Sequence, residues 1–136
     1  MRAVLDVNVV VSGLLSHHGA PAAVLRALDN GEFDALASPK LLAELTRALA
    51  YPKLRRHIPA NDAEAILQWF AGAVAIVPDP DATPPVRSED AEDDYLIALA
   101  ATHRAALVSG DKHLLALEAK IPVFTPRAFL SSLHAR

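Results

Sequence analysis

Short apolar runs alternate along the chain with longer stretches in which apolar residues recur every three or four positions. "RAVLDVN" reads as a short buried strand. "APAAVLRALDNG" has helical spacing, with Pro21 suited to the first turn and Gly31 to the stop. "EFDALAS" reads as a second strand. Ser38 followed by Pro39 predicts a capped helix start, and "PKLLAELTRALAY" continues as that helix until Pro52 ends it. "PKLRRHIP" reads as a basic connector. Asn61 with Glu64 three residues later predicts a capping box opening the helix "DAEAILQWFAGA". "AVAIV" reads as a third strand and "PDPDATPPVRSED" as a proline-rich acidic loop. The helix "DDYLIALAATHRA", the strand "AALVS", the short helix "DKHLLALEA", the strand "PVFT" and a last helix from Thr125-Pro126 complete the series.

Strands and helices that alternate in this way predict an α/β fold. The expected form is a three-layer sandwich with a central, mostly parallel sheet flanked by helices. No internal repeat and no long linker divides the chain, so residues 1–136 are expected to form a single domain. In such folds ligands bind at the carboxyl ends of the strands, which says where chemistry belongs.

Composition narrows the classes. The absence of cysteine excludes disulfides, thiolate zinc sites and a cysteine nucleophile. No apolar run approaches the ~20 residues of a membrane span. Asp6 and Asn8 interrupt the apolar N-terminus, which lacks the core and cleavage site of a signal peptide. A soluble cytoplasmic protein without membrane contact is therefore expected. The net charge of −3 means that any nucleic acid would be held through a local patch or bridging cations, not by a global basic field.

Four carboxylates stand where a charge needs a reason. Asp6 follows "AVL" at the end of the first strand, beside a buried sheet, although it could equally cap the next turn. Glu44 falls on the edge of the stripe formed by Leu41, Leu45, Ala48 and Leu49, where an ordinary surface glutamate would also fit. Asp93 shares a helical face with Leu96, Ile97 and Ala100 and so points towards the core, whereas Asp94 is turned roughly 100° away and is expected in solvent with Glu89 and Glu92. Asp111 follows "AALVSG" just past another strand and could cap "KHLLALEA". Asp6, Asp93 and Asp111 map to one rim of the predicted sheet, within reach of Glu44. Several carboxylates that close need a cation to stay ionised, and an oxygen-only set suits Mg²⁺ or Mn²⁺. Two such ions activate water and stabilise the leaving oxygen of a phosphodiester.

The pieces "VLDVNVVVSGLL", "SPKLLAELTRAL" followed by "YPKL", "EDAEDDYLIALA" and "AALVSGDKHLL", in that order over essentially the whole chain, resemble the PIN domains. The resemblance is greatest to the toxin components of toxin–antitoxin pairs, akin to VapC-type ribonucleases. It implies a parallel sheet flanked by helices and an acidic site that uses Mg²⁺ or Mn²⁺ to cleave single-stranded RNA. It also implies an antitoxin protein as partner and a homodimer. By motif position the family's four acids correspond to Asp6, Glu44, Asp93 and Asp111, with Asn8 and Ser109 as polar helpers. Val7 stands where the family often has threonine, which leaves Asn8 and Ser12 to assist. Asp90 and Asp94 crowd the third motif, and Asp90 either holds a metal-bound water or does nothing.

Other readings fit less well. An aspartate-nucleophile phosphatase wants a second acid two residues after the first, where Asn8 stands, and a receiver domain wants an acidic pair after its first strand. A catalytically silent PIN scaffold serving as a binding module would more naturally have lost one of the four acids. There is no P-loop, dinucleotide fingerprint or nucleophile elbow, and the histidines lack zinc spacing. Lys53, Arg55 and Arg56 in the connector form either a solvated link, an RNA backbone contact or a groove for an acidic antitoxin tail, and Arg87, Arg104 and Lys112 could approach the site.

Overall fold

The computed structural model describes residues 1–81 and 83–135. Strands β1 (Arg2–Leu5), β2 (Asp34–Ala37), β3 (Ala75–Ile76), β4 (Ala106–Val108) and β5 (Val123–Phe124) form one five-stranded sheet in the order β3-β2-β1-β4-β5. All its pairings are parallel, with Val4 opposite Leu36 on one side and Leu107 on the other. Ala3, Val4 and Leu5 of the central strand are buried in succession, as expected of a strand covered on both faces. The edge strands are two residues each, which leaves little unpaired backbone to template aggregation.

The helices are α1 (Val7–Leu15), α2 (Ala20–Asp29), α3 (Pro39–Ala50), α4 (Pro52–Arg55), α5 (Ala60–Ala73), α6 (Asp94–Thr102), α7 (Lys112–Leu115) and α8 (Pro126–His134). A 3₁₀ turn, Ala91–Asp93, leads into α6. Ser38 caps α3 as its sequence predicts, accepting the Leu41 N–H at 3.3 Å. Gly31 ends the turn after α2 at φ +72°, the left-handed conformation that glycine adopts without strain.

Three local expectations are corrected. The first strand stops at Leu5, and the valine-rich segment after Asp6 is helix α1. Val7, Val9, Val10 and Val11 favour strand locally, but the Asp6 cap and burial of Val7, Val9 and Val10 prevail. The Asn61–Glu64 capping box does not form: Pro59 occupies the cap position, so Asn61 already lies inside the first turn. The basic connector is partly helical, because Pro52 stops α3 and then serves as the first residue of α4.

Helix α1 crosses α2 at close range. A Cβ on Gly13 would meet Leu25 Cδ1 at 2.6 Å and the Pro21 carbonyl oxygen at 2.9 Å. Leu25 can yield, but the Pro21 backbone cannot. Gly13→Ala is therefore expected to destabilise the protein by about 1–3 kcal/mol despite alanine's better helix propensity. Urea denaturation measures this, and an unchanged midpoint would refute the close-packing account.

Candidate active site

The strand order reverses between β1 and β4, and Asp6 and Asp111 lie just beyond the carboxyl ends of those two strands. Asp6 is only 6 % exposed. It caps α1, its Oδ1 accepting the Asn8 N–H at 3.3 Å, while Oδ2 accepts the hydroxyl of the fully buried Ser109 at 2.8 Å. Ser109 Oγ in turn accepts the Asp111 N–H at 2.9 Å. Asp111 caps α7 by accepting the His113 N–H at 2.8 Å. For both aspartates, capping a helix and standing at the strand-end rim are the same placement.

Glu44 is half-buried on α3 beside Leu41 and Leu45. The Tyr95 hydroxyl donates to Glu44 Oε2 at 2.7 Å, and Lys40 Nζ sits 4.6 Å from the Tyr95 ring centroid. Burial, then the bond to Glu44, hold the Tyr95 phenol protonated far above its ordinary range. Asp93 lies at the start of α6, and its Oδ2 is buried without a hydrogen-bond partner. Burial raises its pKa to about 7, with the charges of Asp111, Asp6 and Asp90 adding to the effect. Two carboxylates share a hydrogen bond only when one is protonated, so Asp111 offers the ionised Asp93 no relief. Burial also raises the Asp6 pKa, against the opposing hydrogen bonds from Ser109 and Asn8.

Asp6, Glu44 and Asp93 line one cleft of about 330 Å³ together with Asn8, Arg47 and Tyr51. Asp111 lines an adjoining depression with Asn8 and Ser12. Asp90 is exposed and caps the 3₁₀ turn, accepting the Glu92 N–H at 3.0 Å. Lys53 and Arg56 border a third depression beside Tyr51, and Arg55 Nε donates to the Leu49 carbonyl at 3.2 Å. Lys112 is exposed next to Asp111. Arg104 instead borders an apolar depression with Ile97 and Leu107.

The expected solvent exposure of Asp94 is overturned. Asp94 is 9 % exposed, accepts the Ser88 N–H at 2.9 Å and pairs with Arg87 at 3.2 Å, tying down the end of the acidic loop. The helical period separates Asp93 from Asp94 correctly, but it does not reveal that the incoming loop covers the second face. Sequence reading also passed over Tyr95, Arg47 and Tyr51. Tyr95 had a signal: it is one of two tyrosines in the chain and interrupts an aliphatic helix two residues after Asp93.

The donor chemistry suits a hard cation, being carboxylate oxygens with one buried oxygen left unsatisfied. Among the described residues, no group of three or more carboxylates or imidazoles draws together closely enough to hold a metal by itself. An ion such as Mg²⁺, which habitually retains several waters, fits so open a set better than one requiring an all-protein cage.

A parallel α/β sheet with acids gathered at its switch point defines the class of this protein. The chain belongs to the PIN domain family, whose match spans residues 2–113. It is 29 % identical over 118 residues to an uncharacterized protein of Methanocaldococcus jannaschii, covering 86 % of this chain and 75 % of that protein. Its fold is similar to the crystal structure of PAE2754 from Pyrobaculum aerophilum, with TM-score 0.68 and 18 % identity over 100 % of this chain and 91 % of that one. It is also similar to a chain in the crystal structure of VapBC2 from Rickettsia felis bound to a DNA fragment from their promoter. There the TM-score is 0.58 and the identity 18 %, over 91 % of this chain and 97 % of that one. No helix among the described residues is long and apolar enough to cross a membrane.

Two outcomes follow from this geometry. Asp93 keeps its proton up to about pH 7 in the fold, but only to about pH 4 in the unfolded chain. Between those values the folded state binds more protons, so its stability falls as pH rises, and the penalty persists in full above the upper one. In EDTA, Asp93→Asn is thus expected to melt higher than the parent protein at about pH 8, with the difference vanishing near pH 4; an offset independent of pH would refute this. Ser109→Ala removes the donor to buried Asp6 and is expected to cost about 1–3 kcal/mol in urea denaturation near neutral pH. No loss would mean that Asp6 does not depend on that hydroxyl.

Proposed function

We propose that this protein is a Mg²⁺- or Mn²⁺-dependent endoribonuclease acting on single-stranded RNA, with Asp6, Glu44, Asp93 and Asp111 as its acidic site. The observation that carries the reading is the buried, unpartnered Oδ2 of Asp93, a residue that lines one cleft with Asp6 and Glu44. Such an oxygen costs free energy unless a donor, its own protonation or a cation satisfies it, and near neutral pH a cation would do so for the ionised form. The cation, held by these acids directly or through water, would supply charge neutralisation at the phosphate and an activated water at neutral pH. Ser109 fixes Asp6 from below, Tyr95 fixes one oxygen of Glu44, and the caps of α1 and α7 hold Asp6 and Asp111 by their backbones. Arg47 on the cleft wall offers a cation to a second phosphate.

Residues 1–136 would work as one domain. Family membership and the fold likeness to a VapBC2 chain support a role as the toxin of a toxin–antitoxin pair, with an antitoxin protein as partner. A homodimer and a cytoplasmic location accompany that role. A second reading, a catalytically silent scaffold, draws on the lack of a tight metal-holding group among the described residues.

Cleavage of mixed single-stranded RNAs separates the two. Activity is expected with Mn²⁺ and is expected to disappear with EDTA; Asp6→Asn should lower the rate by at least roughly a hundredfold, the scale at which a lost catalytic group is felt. Equal cleavage under all three conditions would sink the metal-nuclease reading. Absence of cleavage of every RNA, with tight binding to a protein partner, would support the scaffold.

A further inference from the structure

Tyr51 is 64 % exposed, an aromatic ring left in water on the wall of the acidic cleft. Its backbone, by contrast, is fixed from both sides. The Tyr51 N–H donates to the Ala48 carbonyl at 3.3 Å at the end of α3, and its own carbonyl accepts the N–H groups of Leu54 and Arg55, each at 3.0 Å, at the start of α4. Pro52 confines Tyr51 to extended backbone, where it lies at φ −61°, ψ 137°. The ring therefore projects from a stiff joint between two helices.

Tyr51 also joins two concavities. One is the cleft of Asp6, Glu44 and Asp93. The other, about 600 Å³, is bordered by Pro52, Lys53, Leu54 and Arg56. Asn8 is shared in the same way between the cleft and the depression of Ser12, Gly110 and Asp111. These shared walls connect both depressions to the carboxylate cleft, with the tyrosine and its cations where the cleft meets the larger one. A protein of net charge −3 thus presents Arg47, Lys53 and Arg56 around an exposed ring next to its acids, among which Glu92 also lines the cleft.

We infer that Tyr51 is a base-stacking position for single-stranded RNA, with Arg47, Lys53 and Arg56 contacting the phosphates on either side of the stacked base. An unpaired strand offers at each nucleotide a π-face for the ring and a charge for the cations, whereas a duplex hides the base faces. A peptide fits less well: a basic one would meet Arg47 and the cations of α4, and an acidic one, although it matches those cations, does not offer the ring a flat face at every charge as an unpaired strand does. The inference rests on the ribonuclease reading for its substrate, and it makes Tyr51 a determinant of substrate binding rather than of the chemical step.

Two measurements test it separately. In an Asp6→Asn background, read before its slowed cleavage becomes appreciable, single-stranded RNA carrying 2-aminopurine is expected to lose fluorescence on binding. Adding Tyr51→Ala should weaken binding by roughly tenfold and remove the quenching, while Tyr51→Phe should preserve both. In the otherwise unmutated protein with Mn²⁺, Tyr51→Ala should raise KM for RNA by a similar factor with kcat little changed. It should leave cleavage of an oligonucleotide of abasic riboses unaffected.

Unaltered binding and quenching in Tyr51→Ala would overturn the stacking position and leave the patch to a protein partner. So would equal losses on base-bearing and abasic strands, or failure of phenylalanine to rescue. Tyr51-dependent quenching in a protein that cleaves no RNA would support the position while refuting the nuclease reading.

Discussion

The buried carboxylate of Asp6, held by the Ser109 hydroxyl at 2.8 Å, is the contact around which the site is built. It joins the exits of adjacent strands β1 and β4 through side chains, just where their backbone pairing ends: the Asp6 N–H still donates to the Val108 carbonyl, at 2.9 Å. Ser109 spends its donor on Asp6 and its acceptor on the Asp111 N–H, so one hydroxyl sets the spacing of two acids. Neither acid is anchored by a salt bridge to lysine or arginine among the described residues. Neutral donors hold Asp6, and the one basic partner of Asp111 among the described residues is the His113 ring, whose Nδ1 lies 3.7 Å from Oδ1. Asp93 then faces both, which is why crowding as well as burial keeps its proton on to about pH 7.

The surrounding fold separates acids that stabilise it from acids that strain it. Asp94 closes a loop by taking the Ser88 N–H and Arg87, and Asp79 pins the loop's other end to the Lys40 N–H at 3.0 Å, in the first turn of α3. Donors placed for an anion surround these carboxylates, and the helix N-terminus favours Asp79 further. Asp93, next in sequence to Asp94, has an oxygen with no donor at all. Adjacent residues on a helix point about 100° apart, so one faces the covering loop and the other the acidic cleft. An acidic run that looks uniform in composition is thereby divided by geometry into an anchor and an unsatisfied group.

This division also marks how far sequence alone could reach. The parallel sheet was legible because apolar runs and helical periods alternate with clear caps such as Ser38-Pro39. The meeting of Asp6 with Asp111 was legible too, since each follows a strand and parallel strands end on the same side. Helix α1 was hidden because four of its nine residues are valine, and what decides its conformation is a side-chain cap plus packing on α2. The fate of Asp94 depended on how the irregular segment just before it folds back, since its partners Arg87 and Ser88 lie only seven and six residues away but outside any helical period. Tyr95 was hidden for a different reason: it meets Glu44 across 51 positions of sequence.

The joint between α3 and α4 links these levels. Proline at position 52 stops one helix and starts another, and in doing so it forces Tyr51 into extended backbone between two hydrogen-bonded ends. A flexible linker with the same residues would pay to order an aromatic ring each time it met a ligand. Here that cost is met in folding: Arg55 binds back to the Leu49 carbonyl, and Leu49 itself is buried on the core face of α3. The exposed ring, a liability for solubility on its own, is thus held by core packing a single turn away. The same helix carries Glu44 and Arg47 into the cleft, so the placement of an acid, a cation and a ring all depends on the burial of Leu41, Leu45 and Leu49 along the adjoining face.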